Sequence, residues 1–398
     1  MERRNFLKIC SLSAAGSSLT TTRPTQIFAM PGPYATLKIT DVQTFEVRAR
    51  EAENRTAVYL EIMTDKGYTG LHGPIFSEMA FIIQSKFKSM LIGRDALAGE
   101  DLWERMRRRD RHARSGHMMM ANSAVDNALW DLRGKYYGVP VYRLLGGPTR
   151  EKLRAYGSMG GHSTEPAEAA SVARKYFDDG FTSQKWFFDY SPKDGMEGMR
   201  NNIALVRALR EELGDAANLL FDGRWAWDVP YAMDMARAML PYRPMWLEEP
   251  LHPEQLEGYV RLKRDTGIPL ASGEHFYTRW NVKQFLDAGA LDFVQADPEW
   301  CGGITELVKI CALCDAYEVK VVPHGHGLLS ILHVVAAQSE TLCPLVEFLI
   351  KWQFERQQYF HKPVLFPENG FFKLPAEPGT GLALDDDKIA ERRVLRFD

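Results

Sequence analysis

Two periodicities divide the chain. From about Thr36 the stretches LKITDVQTFEVRAR and AVYLEIMTDKGYTG alternate apolar and polar residues, which predicts two half-buried strands joined as a meander. Helical spacing follows in FIIQSKFKSML, DLWERMRRR and ANSAVDNALWDLRGKYYG. The last carries Ala124, Val125, Ala128, Leu129 and Leu132 on one stripe, predicting an amphipathic helix that Gly138 and Pro140 stop. Residues 36–150 therefore read as an α+β unit. After Leu145-Gly146-Gly147 the pattern changes to short, nearly continuous apolar runs separated by helical stretches: LRAYGS, SQKWFF, NLLFDG, MWLEEP, PLASGE, FVQADP, KVVPHG and LVEFL. Such runs predict a parallel sheet covered on both faces, and eight is the count that closes a barrel. The fold class is α/β, with a (β/α)8-type barrel over residues 151–364.

Composition changes this picture little. The 398 residues are 45% hydrophobic and 25% charged with a formal net charge of -3, so nothing draws the protein generally to nucleic acid or to an anionic membrane. The basic run WERMRRRDRHARSG interleaves its charges with Trp103 and Met106, as the wet face of a helix does. The N-terminus differs in character. Arg3 and Arg4 precede Phe6, Leu7, Lys8 and a mildly apolar run of small residues, with a cleavage-like Ile27-Phe28-Ala29 behind them. Residues 1–29 read as a twin-arginine export signal, and so the protein as exported to the periplasm, or cytoplasmic if the leader does not function. No segment reaches the ~20 apolar residues of a membrane span. Cys311 and Cys314 form a CxxC without a second pair, which reads as buried apolar packing and not as a zinc site.

The candidate chemistry lies at the strand ends. Strand two ends near Lys185, strand three on Asp222, four on Glu248, five on Glu274, six on Asp297, seven on His324 and eight on Glu347. From Asp222 onward the gaps are 26, 26, 23, 27 and 23 residues, about one strand-helix unit each. Polar groups at the C-terminal ends of barrel strands converge on one mouth, where barrel enzymes keep their chemistry. Asp222, Glu248 and Glu274 on neighbouring strands would repel one another unless a cation sat between them. Oxygen-only ligands favour a hard divalent ion, and Mg²⁺ is the expected metal.

SAVDNALWDLRGKYYGVPVYRLLGG, the Asp of LLFDG, the first Glu of WLEEP, the Glu of SGEH, QADPEWCGGIT, VVPHG and the closing PGTGLALD together resemble the enolase superfamily. The resemblance runs from Thr36 to the C-terminus. It falls in the mandelate racemase/muconate lactonizing enzyme branch, nearest to acid-sugar dehydratases of the L-rhamnonate dehydratase type. It implies a modified TIM barrel under an α+β capping domain over 36–150 that the C-terminal segment 365–398 completes, and a homo-oligomer.

The resemblance further implies a carboxylate (sugar acid) substrate whose α-proton is removed, giving a metal-stabilised enediolate. His324 is then the base and Asp297 fixes its tautomer. Relatives carry Lys-x-Lys on strand two, whose second Lys is an opposing base. Here Lys185 keeps the first position and Phe187 takes the second, which disfavours two-base racemisation and leaves elimination through His324. Lys185 would hold the substrate's charge and Glu347 would hydrogen-bond its carboxylate. Arg224, His275 and His326 would grip hydroxyls, and His72, in the GYTGLHG turn, would reach over the mouth. The function so implied is Mg²⁺-dependent dehydration of an aldonate to a 2-keto-3-deoxy acid. A sugar-acid cycloisomerase or epimerase is the alternative enzyme, and an exported, non-catalytic sugar-acid binding protein is the competing class.

Overall fold

The computed structural model describes residues 36–52 and 54–397, so the export signal expected at residues 1–29 lies outside the described residues. The capping sheet begins with β1 (Ile39–Ala49), β2 (Thr56–Thr64) and β3 (Thr69–Ile75), an antiparallel meander of three strands where the alternation predicted two. GYTGLHG is therefore not a turn as a whole, and His72 lies inside β3 opposite Leu60. The misleading residue is Gly70. A Cβ there would sit 2.1 Å from the Ala128 carbonyl oxygen, so this glycine serves the close approach of β3 to a helix, not a chain reversal.

That helix spans Gly116–Tyr137 and ends on Gly138, whose φ of 69° caps it in the left-handed region. It starts before the predicted stretch and is not simply amphipathic, because polar residues as well as apolar ones are buried. Ala121, Val125, Ala128 and Leu132 pack into the capping core. On the barrel side, Asp126 accepts from the Thr305 N–H (2.8 Å) and hydroxyl (2.6 Å), and Asn127 accepts from the Ile304 N–H (3.0 Å). Asp131 accepts from the Leu71 N–H (2.8 Å) and from the Thr380 N–H (2.8 Å). One helix thus joins the cap, the barrel and the C-terminal segment.

The runs after Gly147 form β4 (Lys152–Ser158), β5 (Ser183–Phe187), β6 (Asn218–Asp222), β7 (Trp246–Glu248), β8 (Leu270–Ser272), β9 (Phe293–Val294), β10 (Lys320–Val321) and β11 (Val346–Leu349). These eight strands are parallel and curl in the order β10-β9-β8-β7-β6-β5-β4-β11. Between the two ends of that order the Val321 N–H reaches Leu342 O, just before β11, at 2.8 Å. β12 (Phe371–Lys373) adds antiparallel to β4, and β13 (Ile389–Val394) pairs with β1 of the cap. Helices cover the outer face, with Leu219, Phe221, Leu247 and Val294 in one large core with them.

Inside the barrel, Tyr156, Leu220, Trp246, Ala271, Phe293, Val322 and Leu345 form an apolar floor. Side chains alternate along a strand, so the residues two positions further on point inward one layer higher. They are Ser158, Asp222, Glu248, Gly273, Gln295, His324 and Glu347, all but Gly273 polar, and the floor hands over to a polar mouth within a single step. β9 and β10 are shorter than the sequence runs, which leaves Asp297 and His324 on the loops beyond them. Toward β9 the Val322 N–H donates to Val294 O at 2.9 Å and the His324 N–H to Gln295 O at 3.1 Å, while Pro323 between them has no N–H to give to the other side.

Candidate active site at the barrel mouth

Lys185 rises from β5 into the centre of the mouth and is 1% exposed. Its ammonium lies 2.5 Å from Glu248 Oε1, 2.9 Å from Glu347 Oε1 and 3.6 Å from Asp222 Oδ2. Burial opposes its charge, but Glu248 and Glu347 outweigh that and hold its pKa well above the usual lysine range. It is a buried cation held by these carboxylates, not a solvent-facing lysine. Glu248 also accepts from Trp246 Nε1 at 2.9 Å. Burial and its anionic neighbours nevertheless push the Glu248 carboxyl well above the usual range, and Asp222 is raised by burial and by Glu274. Glu347 uses its other oxygen to accept the Gly325 N–H at 2.8 Å. A Cβ on Gly325 would stand 2.9 Å from the Glu347 carbonyl oxygen, which is why glycine follows His324.

His324 and Asp297 meet as the sequence suggested. His324 Nδ1 lies 2.7 Å from Asp297 Oδ2, so an Nδ1–H donated to that carboxylate leaves Nε2 with its lone pair outward, 3.6 Å from Glu274 Oε2. Asp297 also accepts the Glu299 N–H (2.7 Å) and the His326 N–H (3.2 Å), which ties both loops to one carboxylate. Burial opposes the charge on His324, but the Glu274 carboxylate and the Asp297 hydrogen bond push its pKa up to about 10. A cation held by Glu274 would cancel the first of those influences.

The three expected metal ligands reach the same mouth but face two ways. Asp222 and Glu248 turn to Lys185, whereas Glu274 turns to His275, 3.2 Å away. Among the described residues, Glu249, Glu274 and His275 each offer a ligand atom, all within 4.8 Å of one another. Glu249 is buried, and burial with the nearby Glu274 pushes its pKa up to about 8. It is held by Ser272 Oγ (3.1 Å) and by Trp225 Nε1. These residues fit a divalent cation. The donors are mostly carboxylate oxygens, they are more numerous than the one ammonium that faces them, and burial and mutual repulsion raise the pKa values of Asp222, Glu248 and Glu249, which added positive charge would relieve.

The backbone here is strained. Arg224 (φ 50°), Trp225 (φ 58°) and Glu249 (φ 38°) occupy the left-handed region directly after Asp222 and Glu248. Arg224 points to the rim, half-exposed, where it donates to Phe188 O (2.6 Å) and pairs with Asp189 (3.0 Å). His275 lies between the rings of Trp225 (4.5 Å) and Trp300 (5.0 Å). His72 pairs with Glu299 at 2.9 Å in the seam beneath the cap, so it reaches the barrel but not the lysine–carboxylate cluster. Above His324 is a cavity of about 290 Å³, walled by Phe76, Phe187, Trp300 and Trp352, with Glu274 and His324 on its lining.

The family profile for the mandelate racemase/muconate lactonizing enzyme N-terminal domain matches residues 36–146, and the enolase C-terminal domain-like profile matches residues 168–388. The chain belongs to the mandelate racemase/muconate lactonizing enzyme branch of the enolase superfamily. It is 35% identical over 348 residues to an L-rhamnonate dehydratase of Saccharopolyspora erythraea, covering 85% of each chain. It is 31% identical over 375 residues to a D-galactonate dehydratase of Ralstonia pickettii, covering 89% of this chain and 94% of the relative. Among solved structures, an enolase-superfamily member from Salmonella Typhimurium superposes with a TM-score of 0.82 at 26% identity, over 90% of this chain and 100% of that one. The 3,6-anhydro-D-galactonate cycloisomerase of Zobellia galactanivorans gives 0.77 at 29% identity, over 89% and 100%.

Sequence reasoning missed Glu249, Trp225, Trp300 and Gln295. Strict alternation would turn Glu249 outward, but β7 stops at Glu248 and the left-handed turn brings Glu249 back. The doubled Glu of WLEEP was the available signal. Gln295 sits inside the barrel, 1% exposed, with neither side-chain polar atom partnered among the described residues. Period-two counting from Phe293 would have found it. Among the described residues, no helix is long and apolar enough to cross a membrane.

Proposed function

We propose that this protein dehydrates a sugar acid, taking an aldonate to a 2-keto-3-deoxy acid with Mg²⁺ as its cofactor. The observation that carries the reading is the His324–Asp297 pair at 2.7 Å, facing the carboxylate cluster, with Phe187 where a second lysine would stand. Lys185 stands 2.9 Å from Glu347 beside the expected metal ligands Asp222 and Glu248. A single base suits an elimination and does not suit two-base epimerisation.

Asp222, Glu248 and Glu274, with Glu249 and His275 adjoining, would hold the cation. Mg²⁺ supplies Lewis-acid stabilisation of the negative charge that develops on the substrate carboxylate. His324 Nε2 takes the proton from C2. The C2 electron pair forms the C2–C3 double bond as the C3–O bond breaks, and the His324 imidazolium returns its proton to the departing hydroxyl as water. The enol then tautomerises to the keto acid. Asp297 keeps Nδ1 protonated throughout, so that Nε2 is the basic nitrogen. Lys185 and Glu347 fix the charge and orientation of the substrate's acid end.

The sugar-acid substrate is supported by the names of the relatives, and a cycloisomerase among the structural neighbours keeps ring opening as the second reading. The test is keto-acid formation from a panel of aldonic and aldaric acids with Mg²⁺ and with chelator. Keto acid that disappears with chelator and returns with Mg²⁺ is the expected result. Full turnover in chelator would overturn the metal assignment, and turnover of a 3,6-anhydro aldonate added to the panel, with its ring opened and no water lost, while the open-chain acids stay unreacted, would favour the cycloisomerase.

A further inference from the structure

The cavity above His324 borders a second one. That space, about 480 Å³, shares Phe76, His326 and Trp352 with the first. Their rings form a collar between the two: Phe76 and His326 are 6.0 Å apart, and His326 and Trp352 are 5.8 Å apart. Trp300 continues the aromatic wall inward at 5.3 Å from His326. Phe76 is 42% exposed and Trp352 57% exposed, so the collar presents ring faces to whatever enters.

Beyond the collar the lining changes to Arg55, Thr56, Glu355, Arg356 and Tyr359. Arg356 is only partly exposed, and it donates to His326 O (3.3 Å) and Pro74 O (3.2 Å) through one terminal nitrogen each. A guanidinium has five N–H donors, so others remain for a ligand.

An open-chain sugar acid fits this path poorly. Phe76 and the exposed ring face of Trp352 offer its hydroxyls no hydrogen-bond partner, which leaves His326 Nδ1 and Trp300 Nε1 as the unpartnered polar atoms along this wall among the described residues, and the far space would stay empty of substrate. A pyranose ring has the opposite character. Its C–H faces are apolar and pack on aromatic rings, while its hydroxyls point outward from the edge. We propose that the substrate is an aldonic acid bearing a glycosyl group on a carbon beyond C3. Its acid end lies at His324, its sugar ring stacks at Phe76 and Trp352, and its ring hydroxyls are read by Arg356, Thr56 and Glu355. This deepens the dehydratase reading and rests on it for the position of the acid end.

The test is calorimetric titration of the Mg²⁺-loaded protein with pairs of acids that differ only in a 4-O-glycosyl group, such as lactobionate, cellobionate and maltobionate against gluconate, and the matching pairs built on other aldonates. In at least one pair the glycosylated acid should bind tenfold or more tightly than the free one. Trp352→Ala should bring that ratio towards one, and Trp352→Phe, which keeps a ring face, should retain most of it. Absence of any gain in every pair, or a gain that Trp352→Ala leaves intact, overturns the proposal. Tighter binding of a glycosylated acid that yields neither keto acid nor α-proton exchange leaves the subsite standing and removes the dehydratase reading.

Discussion

Asp126 and Asp222 are both buried aspartates, and they do opposite things. Asp126 lies in the seam between cap and barrel, where it accepts two hydrogen bonds from Thr305 and shares the seam with Asn127 and Ser123, which hold the Ile304 and Gly302 N–H groups at 3.0 and 2.9 Å. Every one of those partners is a donor, so the seam caps the start of the Gly303–Ala316 helix and fixes two layers together. Asp222 lies in the mouth, where its neighbours are Glu248, Glu274 and one shared lysine. Burial raises both acids, Asp126 to about 6, but at Asp126 the Arg133 guanidinium and the Thr305 donors oppose that rise and repulsion from Glu100 is the smallest influence, whereas at Asp222 the Glu274 carboxylate is among the larger ones. Satisfied polar groups mark architecture; crowded and unsatisfied ones mark a place built for a ligand.

The comparison breaks most sharply at His324. His324→Asn keeps a polar side chain but removes the proton acceptor, so turnover should fall by ~10²–10⁴, about 2.7–5.4 kcal/mol of barrier. The denaturation midpoint should move far less. Keto-acid assay and urea unfolding on one preparation check both. Turnover within twofold of wild type would end the distinction between the two regions.

Gly303→Ala should give the reverse result. Its φ is +84° and an added Cβ would lie 2.4 Å from Asp126 Oδ2. Left-handed backbone and overpacking together should cost about 2–5 kcal/mol, read as a lower urea midpoint at unchanged slope. A fully stable variant would show that the seam does not depend on this contact.

The seam should also sense pH. His333 accepts the Tyr142 N–H at its Nδ1 (3.2 Å) and reaches Thr380 O with its Nε2 (3.1 Å), and burial lowers its pKa to about 4. The unfolded chain takes up that proton near pH 6.5, so this contribution to stability is present above pH 6.5 and is lost as pH falls toward 4. The loss is about 3 kcal/mol. Unfolding free energies measured between pH 7 and 4 should show it, and His333→Gln should flatten the slope.

The smallest effect belongs to the surface. Arg105 pairs with Asp101 at 2.6 Å on an exposed helical turn of the basic run. Arg105→Ala should change stability by no more than about 0.5 kcal/mol and turnover not at all. A larger effect by either assay would give that run a role that its solvated pairing does not.

How much of this was legible in the sequence follows the same divide. The layout of strands and helices was readable because apolar periodicity reports burial directly. Asp222 and Glu248 were readable because they end β6 and β7. Asp297 and His324 were identified correctly as a pair although both lie beyond their short strands, since spacing survives a change of element boundary. The failures have local causes. Gly70 looked like a turn residue because sequence does not show the helix it packs against. Arg224 was readable as a rim residue, but its pairing with Asp189 was not, because the partner comes from a different strand-helix unit. The aromatic wall was invisible because Phe76, Trp300 and Trp352 come from three separate segments that only the folded chain brings together.

The most direct measurement of the central claim is exchange of the substrate's α-proton in deuterated water with the Mg²⁺-loaded protein, followed by NMR on an acid that the enzyme turns over. The account predicts deuterium entering from one face only in the wild type, and none above background in His324→Asn. Exchange at the wild-type rate in His324→Asn would contradict it, because another residue would then be the base and the His324–Asp297 pair would be part of the architecture, as Asp126 is.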